Sequence, residues 1–268
     1  MPEPDIKDRI SLIKHERVLI LFSLIGFFIL AFIILTLANT ILTQVLLDLD
    51  GFIKTTRDPS VWDAIFLSAY TAFLATAIAF VSGVPLAYVL ARENFIGKGL
   101  IEGVIDLPIV IPHTVAGIAL LTVFGRHGLI GQFSLLRFVD AVPGIVVAML
   151  FVSAPFLINS AREGFESVDP RLENVARSLG ASGWRTFCRI TFPLASRHLL
   201  TGAIMCWARA VSEFGAVVVI AYHPMIAPTL IYERYISAGL SASRPVSVLL
   251  IIFCLVIFVI LRILARKR

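Results

Sequence analysis

Charge is scarce in this chain. Only 15% of its 268 residues are charged, too few to clothe an appended soluble domain of any size. Soluble domains run near 45–50% apolar; here the hydrophobic share is 58% and the mean hydropathy +0.92, the signature of a polytopic membrane protein. Cysteine is rare too: Cys188, Cys206 and Cys254 lie far apart with no C-x-x-C spacing, which excludes a disulfide framework or a zinc site. No G-x-x-x-x-G-K-[ST] loop is present, so the chain does not bind ATP in the Walker manner. It also lacks G-x-S-x-G and H-E-x-x-H, paired carboxylates, a histidine cluster and a nucleophile beside a base, which argues against an enzyme. The net charge of +5 does not indicate nucleic acid, because the basic residues are scattered between apolar runs. No metal or cofactor is expected.

What remains is long apolar runs. Six stretches are long enough to cross roughly 30 Å of hydrocarbon, near 18–44, 62–91, 100–124, 141–161, 199–222 and 245–264. The first continues to about Leu47 and lacks a small-residue cleavage site, so it reads as a span rather than a removable signal. Six spans put both termini on one side. That side would carry 16 Lys and Arg (Lys7, Arg9, Lys14, Arg17, Arg92, Lys98, the arginines of 161–198 and the C-terminal cluster), the other 6. The positive-inside rule then places residues 1–17, the loop 161–198 and the C-terminus in the cytoplasm.

Prolines and buried charge mark where spans should be irregular. The second span holds Gly83 and Pro85. The third holds Asp106-Leu107-Pro108-Ile109-Val110-Ile111-Pro112-His113-Thr114, whose two prolines should kink or break it where protein covers the freed backbone. The fifth carries Arg209 and Glu213, four apart and so on one helix face, with Ser212 between. Ionisable groups at bilayer depth cost about 2.5–3.5 kcal/mol on insertion scales. The pair should therefore face the bundle, either stapling helices together or lending positive potential to an anion path. His113 is either a packed, satisfied side chain or a lining residue. The stretch 223–244, with Pro224, Pro228, Tyr232 and Tyr235, reads as a re-entrant or interfacial segment or as an external loop.

The most polar stretch, Ala161 to His198, is the one around which the chain is organised. Asp169-Pro170 starts a helix, with a capping carboxylate and a proline at the first helical position. Leu172, Val175, Ala176 and Leu179 then recur at i, i+3, i+4 and i+7, one apolar stripe, and Gly180 follows as a left-handed stop. The spacing predicts a helix over 170–179 and a second helical piece from Ser182 that stops at Phe192-Pro193. A membrane-surface helix would want an aromatic and a broader apolar face, so this one reads as a docking element.

This loop resembles that of the permease subunits of ABC importers, whose pattern is E-A-A-x-x-x-G with a distal I-x-L-P. Gly180, Ile190 and Pro193 match at the family's spacing; the triplet reads Asn174-Val175-Ala176, with Glu173 adjacent. The resemblance covers about residues 60–265. Ala208-Arg209-Ala210 with Glu213-Phe214-Gly215-Ala216 is similar to the fifth-span signature of molybdate, tungstate and sulfate permeases, and Asp106 to Ala119 and Tyr222 to Thr229 look most like the molybdate/tungstate branch.

The resemblance implies an all-α membrane fold of six transmembrane helices, with span 18–47 ahead of a permease domain over 60–265. It implies a homodimer of this chain, two cytoplasmic ATPase subunits and an external oxyanion-binding protein, in the plasma membrane. Docking would fall to Asp169, Arg171, Leu172, Glu173, Val175, Ala176, Leu179 and Gly180. A path or gate would use Pro112, His113, Thr114, Arg209, Ser212 and Glu213. A sulfate or thiosulfate permease is the alternative within transport. A self-contained channel or carrier would leave helix 170–179 without a task.

Overall fold

A computed structural model describes the backbone of residues 6–266 and the side chains of 18–263. The side chains of the expected basic N-terminal segment 1–17, and those of Arg266, Lys267 and Arg268, lie outside the described residues. The chain forms two units, residues 1–54 and 55–268.

The first unit is dominated by α1 (Ile6–Leu47), followed by α2 (Leu49–Thr56). Its apolar stretch, Val18–Leu47, is 30 residues long, about 45 Å at 1.5 Å per residue and enough to cross hydrocarbon with tilt. Its leucines, phenylalanines and all isoleucines but Ile41 are exposed along this stretch. Thr36 and Thr40 return their hydroxyls to the carbonyls of Phe32 and Thr36, so neither leaves a polar group for lipid to meet. Asp48 starts α2 by accepting the N–H of Gly51 at 2.9 Å.

The second unit is built on three mutually packed helices, α3 (Pro59–Arg92), α6 (Val142–Glu166) and α9 (Phe192–Val211). Asp58 caps α3 through the N–H of Ser60. The three meet through small side chains: Ala72, Ala75, Ala79 and Ala87 from α3, Ala148 and Ala161 from α6, Ala195 and Ala210 from α9 are buried. Without a hydrophobic difference between helix and lipid, such residues let backbones approach closely enough for dispersion to hold them. At Gly202 on α9, a Cβ would sit 2.9 Å from Ser160 Cβ on α6.

The third expected span is broken, as its two prolines predict. Pro108 stays inside α4 (Lys98–Val110), but at Ile111-Pro112 the chain turns extended and α5 (His113–Phe124) leaves at 115°. The residue before a proline is pushed out of the helical region, and Ile111 has ψ 144°. α4 is held to α6 by Arg162–Glu102 at 2.7 Å and by Asn159 donating to Asp106 at 2.6 Å.

In the loop 161–198, α7 (Pro170–Ser178) matches the expected helix, and Gly180 takes φ +86°. The second piece does not stop at Pro193. α8 (Gly183–Thr186) runs through a five-residue π turn, Phe187–Thr191, directly into α9. Pro193 falls in the first turn of α9, directly after the π turn, and does not end the helix. The expected fifth span, 199–222, is not one helix either: α9 ends at Val211 and α10 (Val217–Ile220) follows a turn. The segment beyond folds as α11 (Ala227–Ala238), packed against α12 (Leu240–Arg266) and α3.

Every regular element among the described residues is helical. Four helices there are long and apolar enough to cross a membrane: Val18–Leu47, Pro59–Arg92, Val142–Glu166 and Leu240–Ile263; the bent pair α4/α5 makes a fifth if counted as one span. This is an all-α membrane protein.

The α6–α9 contact predicts a steep dependence on side-chain size. Gly202→Ala forces a shift against Ser160 and the Leu157 carbonyl, and overpacking of this kind costs about 1–3 kcal/mol. Thermal unfolding in detergent should show a lowered midpoint for Gly202→Ala. It should show none for Gly26→Ala in α1, where nothing lies within 4 Å.

Candidate functional site

Two places gather the residues singled out in the sequence. The first is α7. Asp169 caps it by accepting the Arg171 N–H at 2.9 Å. Three apolar side chains, Leu172, Val175 and Leu179, are 47%, 57% and 83% exposed. Ala176, expected on the same stripe, is instead buried beside Glu173 at the stripe's inner edge. The usual orientation of an amphipathic helix is thus reversed: its carboxylate faces the protein and its leucines face outward. Leu172, Val175 and Leu179 keep the i, i+3, i+7 spacing by which a helix anchors in a partner's groove.

The burial of Glu173 requires partners, and it has them. Its Oε1 accepts from Arg92 Nε at 2.9 Å and from Thr191 Oγ1 at 2.9 Å and lies 2.8 Å from Arg92 Nη2; its Oε2 accepts from Arg177 Nη2 at 3.2 Å and Tyr88 Oη at 3.3 Å. Burial pushes the carboxyl's pKa up, but the hydrogen bonds and charge of Arg92, with the Thr191 bond, outweigh it and hold it below the ordinary glutamate value. The stability this clamp contributes is therefore complete above the ordinary carboxylate range and is lost only as pH falls through the lowered value. Sequence reasoning missed Arg92, Tyr88 and Thr191. Arg92 lies 81 residues from Glu173 and stood out only as a topology charge; no local pattern links the two.

Beside this network a cavity of about 850 Å³ opens between the end of α3 and the α7–α8 segment, lined among others by Tyr88, Arg92, Glu173, Arg177 and Trp184. Trp184 is 75% exposed and stacks on Phe187.

The second place is the break between α4 and α5, where it meets the end of α9. Gly215 packs so closely on His113 that a Cβ there would lie 2.7 Å from the histidine's own. Arg209 Nη2 donates to Glu213 Oε2 at 2.7 Å and lies 2.7 and 3.0 Å from the two ring nitrogens of His113; His113 Nδ1 is 2.9 Å from the same Glu213 oxygen. The other oxygen of Glu213 accepts the N–H of Ala216 at 2.8 Å. Glu213 thus both pairs with Arg209 and satisfies backbone freed where α9 ends. The structure brings His113, Arg209, Ser212 and Glu213 together; Pro112 sets the break, and Thr114 is exposed on the first turn of α5. Ser212 is also exposed.

Comparison with known proteins places these features in context. The family described as "Binding-protein-dependent transport system inner membrane component" matches residues 83–268. The molybdate/tungstate transport system permease protein WtpB of Thermococcus kodakarensis is 47% identical over 255 residues, covering 95% of this chain and 99% of that protein. The sulfate transport system permease protein CysW of Synechococcus elongatus is 34% identical, over 80% of this chain and 77% of that one. Among solved structures, a bacterial ABC transporter involved in import of the acidic polysaccharide alginate has a chain that superposes with a TM-score of 0.75. It covers 96% of this chain and 98% of its own at 16% identity, a likeness of fold.

The polar cluster predicts an asymmetric response to substitution. Glu213 is fully buried, so Glu213→Ala strands the Arg209 guanidinium and the Ala216 N–H, a loss of about 3–5 kcal/mol. Ser212→Ala, at an exposed position, should stay within about 0.5 kcal/mol. Chemical denaturation followed by tryptophan fluorescence would separate the two.

Proposed function

The chain belongs to the binding-protein-dependent transport system inner membrane components, and we propose that it is the permease subunit of an ATP-driven importer for molybdate or tungstate. The observation that carries the substrate class is the 47% identity to the molybdate/tungstate permease over almost the whole of both chains, against 34% over a shorter stretch for the sulfate permease. A sulfate permease remains the second reading, resting on that weaker likeness.

The chain has no phosphate-binding loop, so its energy must come from elsewhere. The outward leucines of α7 are where a nucleotide-hydrolysing partner would seat. Burying a leucine or valine is worth about 1.5–3 kcal/mol, and α7 leaves three such side chains in water. In this reading two copies of the chain join two ATPase subunits, and an external binding protein delivers the oxyanion. Six crossings, the fifth made from α9 and the turn into α10, put both termini in the cytoplasm in keeping with the 16-to-6 bias of basic residues. When the ATPases close on nucleotide, α7 is carried with them as a rigid body, and the bundle changes between inward and outward access.

The gate in this proposal is the α4–α5 break at Pro112 together with the polar cluster beside it. Arg209 is already engaged by Glu213 and His113, which favours a stapling role over a binding one. The exposed hydroxyl of Thr114 is a neutral donor, suited to an anion that must be released as well as held, whereas that of Ser212 donates to the Arg209 carbonyl at 3.1 Å and would have to turn.

The test is ATP hydrolysis by the complete complex in liposomes, with binding protein loaded with molybdate, tungstate or sulfate. Stimulation by the molybdate or tungstate form is expected. It should fall at least about tenfold when Val175 and Leu179 are both changed to Asp, each substitution opposing burial worth about 1.5 kcal/mol or more. Stimulation by sulfate alone would favour the second reading. Hydrolysis and uptake unchanged by the double substitution would remove α7 as the docking element.

A further inference from the structure

We propose that Glu173 is the positioning residue through which α7 moves the membrane helices. This rests on α7 being the docking helix and adds how its displacement reaches the bundle. A partner seated on Leu172, Val175 and Leu179 holds only the outer face. On the inner face the helix presents Glu173 and Ala176, and only Glu173 reaches beyond the loop.

The carboxylate joins three elements at one point. Through Arg92 and Tyr88 it is tied to the last turns of α3, through Thr191 to the π turn that feeds α9, and through Arg177 to its own helix. Arg92 also donates from Nη2 to the Val168 carbonyl at 3.0 Å, binding the chain just beyond α6 into the same knot. α3, α6 and α9 are the three helices that form the core.

Packing reaches α3 only indirectly from α7: the helix rests against α8 and the π turn, whose Phe187 packs on Tyr88 of α3, while beside α7 itself the cavity of about 850 Å³ opens toward the end of α3. The bridge to α3 therefore runs along the edge of an open space, carried by long side chains with short charge-assisted bonds. Buried atoms are not free to slip: Glu173 is 1% exposed, Thr191 is fully buried and the Arg92 side chain is 11% exposed. A displacement of α7 pulls α3 and the start of α9 together. If the bridge is cut, α7 can follow the ATPase while α3 stays behind.

The experiment measures oxyanion uptake per ATP hydrolysed in the reconstituted complex, together with co-purification of the ATPase, for Glu173→Gln, Arg92→Gln and the double variant. Tyr88→Phe is the shape-conserving probe, since it keeps the ring contacts with Phe165 and Phe187 and removes one bond to Glu173. It stands in should the charge variants fail to fold. Glu173→Gln should still co-purify with the ATPase, while uptake per ATP falls at least about fivefold, the low end of an ordinary coupling free energy. Arg92→Gln should do the same, the double variant should be no worse than either single one, and Tyr88→Phe should shift the ratio in the same direction by less.

An unchanged uptake-to-hydrolysis ratio in Glu173→Gln, or in Tyr88→Phe where that variant stands in, overturns the proposal. So does loss of ATPase binding, which would make Glu173 a part of the docking surface. Failure of the docking reading is a separate result: the Val175→Asp, Leu179→Asp protein would then still bind the ATPase.

Discussion

In hydrocarbon a backbone N–H or C=O has no water to turn to, and each one left unmatched costs several kcal/mol. Much of this structure follows from that constraint. It makes every regular element among the described residues helical, and it restricts where the helices can be interrupted. The two interruptions in the core, at Ile111-Pro112 and at Ser212–Gly215, lie against one another: Gly215 packs on His113, and Gly117 of α5 sits so close to the start of α10 that a Cβ would meet the Ala216 carbonyl at 2.9 Å. The freed N–H of Ala216 is taken by Glu213. Each break is covered by the other.

Polar side chains are rationed by the same physics, and two knots among them are built on a buried glutamate. Both are organised by a fully desolvated glutamate that accepts from an arginine: Glu213 with Arg209 and His113, Glu173 with Arg92, Thr191, Arg177 and Tyr88. A buried ion pair is a weak source of net stability, because desolvation consumes most of the Coulomb gain, but it tolerates almost no displacement of its members. It suits places where helices must move as one. One knot joins the broken helices at the α4–α5 break; the other joins α7 to the core.

Between the knots the helices meet closely at buried alanines and glycines, with Met149, Leu157 and Leu199 packed among them. Close backbone approach gives rigid helices with little slack. A displacement introduced at α7 would then be passed along α3 and α9 rather than absorbed by rearranged side chains. α9 is continuous from the π turn beside Thr191 to Arg209, so it spans the distance between the two knots as one element.

The class of protein, the positions of most spans, the break at Pro112 and the bounds of α7 were legible in the amino-acid order, because each depends on local rules: apolar run length, proline's effect on its predecessor, a capping aspartate and a left-handed glycine. Arg209 with Glu213 was legible for the same reason, since four residues of helix bring them together. Other features were not. Ala176 reads as part of the apolar stripe, yet it faces inward with Glu173, because the side a short helix turns to its protein is chosen by what the protein offers there. The run from α8 through the π turn into α9 was hidden by Pro193, a residue that ends helices in most settings but begins this one. The partnership of Glu173 with Arg92 spans 81 residues, and His113 with Arg209 spans 96. Contacts of that separation arise only when packed helices bring distant turns side by side, and no periodicity along the chain encodes them. Sequence alone determined that the chain is helical and membrane-embedded, because these follow from composition and short-range chemistry. Tertiary structure decided which carboxylate meets which arginine and which face of α7 looks outward, because those are set by the relative placement of helices far apart in the chain.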